Sequence, residues 1–82
     1  LEFPEGSFVL IEKTTTVETG QIAALLIDDQ DATVKKVVLN NDTNTVTLIP
    51  LSSNNSYLPQ TYEVWKDRVR VLGRVVQAVK VY

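Results

Sequence analysis

Apolar and polar residues alternate along most of this chain, and β-branched side chains occupy many of the apolar positions. Alternation with a period of two places successive side chains on opposite faces of a strand. Clusters of Gly, Pro, Asn and Asp, which favour turns, separate the alternating segments. The pattern predicts strands at residues 7–12, 21–28, 32–39, 45–49, 61–65 and 68–81.

Two of these segments are unusually apolar. Residues 7–12 are apolar at adjacent positions, which is typical of a strand covered on both faces. Residues 21–28 contain Ala and Leu, which are good helix formers, so a helix is the competing interpretation. The segment is short and lies between Gly20 and an acidic cluster, and we therefore expect a strand there.

The last segment is long for so small a domain. Fourteen residues of strand would span on the order of 45 Å. Val69, Val71, Val75 and Val79 share one parity, and Gly73 stands in the middle, where a bulge or bend is expected. We expect the strand to bend at Gly73 and to serve two sheets. The predicted fold class is all-β, with small, strongly bent, partly barrel-like antiparallel sheets.

Composition limits the chemistry available to the chain. The 82 residues predict a single domain, and they include no cysteine and no histidine. This excludes disulfides, thiolate metal sites and a histidine base. Catalysis would depend on Lys, Asp, Glu, Ser, Thr or Tyr, and we expect no cofactor and no metal. The acidic turn at 28–31 lacks the spacing of an EF-hand calcium loop and is interpreted as a solvated tip.

Charge and hydropathy bear on partners and location. The net charge of −2 argues against direct nucleic-acid binding, which needs a basic face. No apolar run approaches the roughly 20 residues that span a membrane. We therefore expect a cytoplasmic chain without membrane contact. It contains no methionine, so we also expect it to be part of a longer protein.

Two adjacent lysines stand in the middle of the segment 32–39. Neighbouring strand residues point to opposite faces, so either Lys35 or Lys36 faces inward if the other faces water. Desolvation favours the neutral amine, the form that can act as a general base. The alternative is that both lysines extend along the sheet edges to water. Ser7, Ser52, Ser53 and Ser56 are poor nucleophile candidates, because turn formation explains them more simply.

Five short motifs follow one another along the chain. They are Phe-Pro-Glu-Gly at 3–6, Val-Glu-Thr-Gly-Gln-Ile at 17–22, Ala-Thr-Val-Lys-Lys-Val at 32–37, Val-Thr-Leu-Ile-Pro-Leu at 46–51 and Val-Leu-Gly-Arg-Val-Val at 71–76. Each motif is weak by itself, but the series covers nearly the whole chain. In order and spacing it resembles the C-terminal domain of LexA and phage lambda-type CI repressors. The polar segment after Pro50 departs from the family, which commonly has an Asn-Pro step there.

The resemblance implies a serine–lysine self-cleaving peptidase in which a lysine removes the proton of a serine hydroxyl. By motif position the base is Lys35, and Lys36 is its outward neighbour. The family serine lies in a Gly-Asp/Asn-Ser-Met motif upstream of the Phe-Pro-acid-Gly turn, and this motif does not occur here. We expect a single repressor C-terminal domain over residues 1–82, truncated before the catalytic serine and unable to cleave itself.

The resemblance also implies partners. Domains of this family form homodimers or higher homo-oligomers, and DNA is bound only through a separate N-terminal domain. A RecA-type co-protease is an implied partner of the full-length protein. We expect the self-association contact at Trp65, Val69, Val71, Val75 and Val79. Ordinary core packing remains the alternative role for these residues.

Three other functions remain open. A non-cleaving repressor relative would keep the fold and the pairing. A structural β-module that binds proteins would make Lys35 incidental. A signal-peptidase-like serine–lysine protease shares the dyad, but this chain contains no apolar anchor segment.

Overall fold

The computed structural model describes residues 7–51 and 58–80, and these residues form an all-β domain. Its strands are β1 (Ser7–Lys13), β2 (Ile22–Ile27), β3 (Asp31–Asn40), β4 (Thr45–Ile49), β5 (Gln60–Glu63) and β6 (Val69–Lys80). The apolar segment around Leu25 is a strand, so the competing helix interpretation was wrong. The strand expected at 61–65 ends at Glu63, and a short 3₁₀ turn, Trp65–Asp67, follows it.

All six strands lie in one antiparallel sheet with the order β1-β6-β2-β3-β4-β5. The sheet is bent but not closed, and β1 and β5 are its two edges. The predicted bent antiparallel architecture is therefore confirmed, although it is built as a single sheet. No helix in the described part of the chain is long and apolar enough to cross a membrane.

Strand β6 joins the two halves of the sheet. Residues 69–74 pair with β2, and residues 73–80 pair with β1. The register shifts twice along β6, so that Leu72 and Val76 have no partner in the ladder. Such extra residues bend a strand and increase its twist. The bulge expected at Gly73 is confirmed, but the strand serves two neighbours of one sheet instead of two sheets.

A glycine is required where β1 and β6 approach each other. A Cβ atom added at Gly73 would overlap Cγ2 of Ile11 and would lie 2.8 Å from the carbonyl oxygen of Glu12. A contact this short is not tolerated between a side-chain carbon and a backbone oxygen. Gly73 therefore permits the close contact that holds the edge strand against β6.

The extra residue at Leu72 also reverses the parity of β6. Val71 pairs with Leu25 and faces the core, whereas Gly73 pairs with Ala24 on the other face. Val75, two residues beyond Gly73, consequently faces away from the side chain of Val71. The valines of this segment thus share a parity in sequence but not a face of the sheet.

One core lies against the inner face of the bent sheet. It consists of Ala23, Leu25, Val37, Val46, Leu48, Val69 and Val71. Each fully buried leucine or valine contributes about 1.5–3 kcal/mol relative to an exposed position. The partly buried Val17, Ile27, Leu39, Tyr62 and Trp65 pack around this core.

Strand β1 is less covered than its sequence indicates. Phe8, Leu10 and Ile11 are all exposed, and Val9 is only half-buried. The expectation of a strand covered on both faces was wrong, because β1 forms an edge of the sheet and its apolar side chains extend beyond the core.

Candidate active-site cleft around Lys35

Strand β3 directs its two adjacent lysines to opposite faces of the sheet. Lys35 pairs with the fully buried Ala23 of β2 and shares its face with Val37, which is 1% exposed. Lys36 points to the opposite face, together with the exposed Val38. The side chain of Lys35 is half-buried and that of Lys36 is exposed. Lys35 is therefore the inward-facing lysine, which the alternation alone did not decide.

The Lys35 side chain lines an open cleft of about 460 Å³. The described residues around it are Ile27, Lys35, Leu48, Pro50, Leu58, Pro59 and Gln60. Lys35 carries the only charge among them. The cleft consequently places one amine among mainly apolar side chains.

Two prolines shape the opening of the cleft. Lys36 pairs with Ile49 at the end of β4, so the next residue, Pro50, lies beside Lys35. A proline has no N–H and cannot continue the ladder of hydrogen bonds. Strands β3 and β4 therefore stop pairing beside Lys35, and Pro59 stands just before β5 on the other side of the cleft.

No carboxylate forms an ion pair with Lys35 within residues 7–51 and 58–80. The ion pairs of this part of the chain all use arginine, and they are Asp28–Arg68, Asp29–Arg70 and Glu12–Arg74. Among the described residues, the amine of Lys35 is therefore not held by an acidic side chain.

The described residues of the cleft bring no serine hydroxyl to Lys35. Ser7 begins β1, which is separated from β3 by β6 and β2 in the sheet. Ser52, Ser53 and Ser56 lie outside the described residues. The structure thus presents the amine and its apolar surroundings, and the hydroxyl that would react with it is not among the described groups.

The residues expected to mediate self-association divide into three groups. Val69 and Val71 are 2% and 6% exposed and belong to the core of the chain itself. Trp65 and Val75 are half-buried on different parts of the fold, and the side chain of Val79 lies outside the described part. The role of these residues in self-association stays a prediction, and the bulge at Leu72 changes which side chains β6 exposes.

Five exposed apolar side chains at β1 and β6 were not identified from the sequence. They are Phe8, Leu10, Ile11, Leu72 and Val76. Leu72 and Val76 are the two residues that the register shifts leave without a ladder partner. An alternating pattern does not mark such positions, since a bulge adds a residue without any change of composition.

An ion-pair network connects the acidic turn to β6. Arg68 donates to both carboxylate oxygens of Asp28, each at 2.9 Å, and its guanidinium lies 4.9 Å from the ring centre of Tyr62. These hydrogen bonds hold the pKa of the Asp28 carboxyl below its usual value. The turn was interpreted as a solvated tip, but Asp28 fastens it to the sheet. The next three residues of the turn, Asp29, Gln30 and Asp31, are exposed.

Comparison with known proteins gives a consistent family assignment. The sequence matches the family described as Peptidase S24-like over residues 1–76. It is 36% identical over 78 residues to a protein from Gluconacetobacter diazotrophicus named LexA repressor. These residues make up 95% of this chain and 28% of that protein. LexA repressors of Pseudothermotoga lettingae and Zymomonas mobilis are each 30% identical over 95% of this chain, which spans 36% and 33% of their lengths.

These matches confirm the resemblance that the motifs indicated. The chain spans about a third of the length of the curated relatives named above. The shared region includes the strand that carries Lys35, since the family match extends over residues 1–76.

Proposed function

Because the chain belongs to the Peptidase S24-like family, we propose that it is the oligomerisation and latent self-cleavage domain of a prophage or SOS-type transcriptional repressor. We propose Lys35 as the general base. The observation that carries this proposal is the inward orientation of Lys35 at an apolar cleft, next to an outward-facing Lys36.

The proposed reaction transfers one proton through Lys35. The neutral amine accepts the proton of a serine hydroxyl while the serine oxygen attacks the carbonyl carbon of a peptide bond in the hinge of the same protein. The ammonium then gives this proton to the leaving amine, and the C–N bond breaks. Water then attacks the resulting ester and gives one proton to the amine of Lys35. The amine passes this proton to the serine oxygen, so the serine hydroxyl is restored.

The serine of this reaction would come from the Gly-Asp/Asn-Ser-Met motif upstream of the Phe-Pro-acid-Gly turn. Residues 1–82 contain serine only at positions 7, 52, 53 and 56, and none of these stands in such a motif. We therefore propose that a polypeptide of residues 1–82 provides the base and the cleft but does not cleave itself.

The repressor role is supported by the relatives, which carry the name LexA repressor. DNA would be bound by a separate N-terminal domain, because the acidic chain has a net charge of −2. A RecA-type co-protease would promote cleavage in the full-length protein. All these steps would take place in the cytoplasm.

Self-association is supported by the edge strand β1. An edge strand presents unpaired backbone groups that a second copy can pair with. The side chains of Phe8 and Leu10 are 64% and 50% exposed on this strand. We propose that β1 and the neighbouring exposed residues of β6 form the contact in a homodimer or higher homo-oligomer, in place of the buried Val69 and Val71.

The test compares two variants of the full-length protein. Lys35→Ala is expected to abolish self-cleavage, and Lys36→Ala, the matched change at the next residue, is expected to leave it intact. The fraction of cleaved protein is measured by gel electrophoresis over time. Unchanged cleavage in Lys35→Ala would refute the assignment of the base. If the unsubstituted full-length protein does not cleave at all, the chain is instead a non-cleaving relative that keeps only the pairing role.

A further inference from the structure

A second groove lies beside the 3₁₀ turn, and among the described residues it shares no lining residue with the Lys35 cleft. We call it the Trp65 groove. Its volume is about 460 Å³, and its apolar residues include Val17, Leu39, Trp65 and Val71. Lys66 and Arg70 stand at its rim and are exposed. The groove therefore combines an apolar floor with a cationic border.

The positive border continues past Arg70. A neighbouring depression shares Thr15, Arg70 and Val71 with the Trp65 groove and adds Lys13 and Leu72. Three cations thus line one continuous surface. No carboxylate appears among the described residues that line either part. This local positive charge contrasts with the net charge of −2 of the chain.

Arg70 is available to a ligand. Its one described ion pair, with Asp29, has an N–O distance of 3.8 Å, and both side chains are largely exposed. A contact this long and this solvated contributes little to stability. A carboxylate of a partner can replace it without loss of a strong interaction.

The backbone before Trp65 is strained. Val64 has φ 47° and ψ 53°, the left-handed region that β-branched residues almost never adopt. Its N–H donates to the carbonyl oxygen of Asn44 at 3.0 Å, which holds the turn in place. The side chain of Val64 is exposed, so core packing does not explain the conformation. The strained turn directs Trp65 and Lys66 to the groove, and strain of this kind concentrates at binding sites.

We propose that the Trp65 groove binds an extended peptide segment in which carboxylate side chains alternate with apolar ones. The apolar side chains would pack on Trp65, Val17 and Leu39, which are partly exposed. The carboxylates would pair with Lys13, Lys66 and Arg70. A nucleic acid fits this surface less well. Its phosphates would continue beyond the groove toward Asp42 and Asp67, which are exposed next to lining residues.

The single tryptophan of the chain reports directly on this groove. The probe is the capped peptide acetyl-Glu-Leu-Glu-Leu-Glu-amide, titrated into the 82-residue protein at low ionic strength while Trp65 fluorescence is recorded. The expected result is a saturable change in emission that weakens when salt is added, because exposed charge pairs are screened. A capped Lys-Leu-Lys-Leu-Lys peptide is expected to produce no saturable change.

Two variants with the same loss of charge make the test specific. Arg70→Gln removes a cation from the groove and is expected to weaken peptide binding by up to roughly fivefold, the upper end of the range for one exposed charge pair. Lys36→Gln removes a cation from β3 that lines neither part of this surface, and it is expected to leave the affinity unchanged. Circular dichroism spectra of both variants should match that of the parent protein.

Three results would overturn the proposal. One is the absence of a saturable change with the acidic peptide. Another is equal weakening by Arg70→Gln and Lys36→Gln, which would show only a general effect of net charge. The third is tighter binding of a short oligothymidine than of the acidic peptide, which would make the groove a nucleic-acid site. Each result is independent of self-cleavage, because no described residue lines both the Lys35 cleft and the groove.

Discussion

Arg68 donates to both carboxylate oxygens of Asp28 at 2.9 Å, although the two residues stand 40 positions apart in the sequence. The backbone N–H of Asp28 also donates to the carbonyl oxygen of Arg68 at 2.7 Å. A two-pronged contact between arginine and a carboxylate is more specific than a single ion pair. The turn between β2 and β3 is thereby fastened to the residue that precedes β6.

This contact predicts a pH dependence of stability. The folded-state pKa of Asp28 is lowered from its ordinary value of 3.8, first by the hydrogen bond from Arg68. Its stabilising contribution is therefore present above pH 3.8 and is lost as the pH falls below it. We expect Asp28→Asn to unfold at a lower temperature than the parent protein at neutral pH. The difference should shrink as the pH falls below 3.8, as measured by thermal unfolding followed by circular dichroism.

Asp29→Asn is the matched control for this prediction. Asp29 is in the same turn, but its contact with Arg70 is 3.8 Å long and largely exposed. We expect its unfolding temperature to stay close to that of the parent protein at every pH. A pH-dependent loss as large as that of Asp28→Asn would show that the charge of the turn, and not the Arg68 contact, is responsible.

The strained Val64 predicts a stabilising substitution. Left-handed backbone costs an ordinary residue about 1–2 kcal/mol, and asparagine tolerates it better than valine. The side chain of Val64 is 64% exposed, so little burial is lost when it is replaced. Val64→Asn should therefore raise the free energy of unfolding by about 1 kcal/mol, measured by urea denaturation.

The same valine-to-asparagine substitution at a strand position is the control for Val64→Asn. Val76 is also exposed, but it lies in β6, where β-branched residues are favoured. We expect Val76→Asn to be neutral or destabilising. If both exchanges stabilise the protein equally, the removal of exposed apolar surface is the cause, and strain at Val64 is not.

The contact at Gly73 predicts a strong local effect. Gly73→Ala would place a Cβ atom 2.8 Å from the carbonyl oxygen of Glu12 and still closer to Ile11. Overpacking of this kind costs about 1–3 kcal/mol. Urea denaturation should show that loss in Gly73→Ala. The addition of Ile11→Ala should restore part of it, because one of the two clashes disappears while the clash with the backbone remains. No recovery in the double variant would count against the side-chain part of the clash.

The proposed contact at β1 predicts the behaviour of two lysine substitutions. Leu10→Lys places a charge on the exposed edge strand, where lysine disfavours edge-to-edge pairing. We expect the parent protein to sediment increasingly as a dimer when its concentration rises, and Leu10→Lys to remain monomeric. Val38→Lys, at an exposed position of the interior strand β3, should still dimerise. If Leu10→Lys dimerises over the same concentration range as the parent protein, the contact lies elsewhere.

Much of the fold could be predicted from the sequence because its signals are local. Alternating residues and turn clusters located every strand, and the strand at Thr45–Ile49 was predicted with its observed bounds. The bend at Gly73 was also predictable, since a glycine within a long strand needs a structural reason. Lys35 and Lys36 were recognised as a pair that must face opposite ways, and the family motifs selected the inward one.

The remaining features depend on residues that are distant in sequence. The contact of Asp28 with Arg68 becomes visible only when β2 and β6 are neighbours. Because of the bulge at Leu72, Val71 faces the core while Val75 faces the other way. No local sequence pattern predicts this bulge. The left-handed Val64 contradicts the preference of its residue type, so the strand expected at 61–65 ended earlier than predicted.

The most direct test of the central claim is the replacement of Lys35 by arginine in the full-length protein. Arginine keeps the positive charge and the length of the side chain, but it remains protonated and cannot accept a proton from serine. We predict that Lys35→Arg abolishes self-cleavage while Lys36→Arg cleaves at the parent rate, as followed by gel electrophoresis. Self-cleavage of Lys35→Arg at the parent rate would contradict the role of Lys35 as the general base.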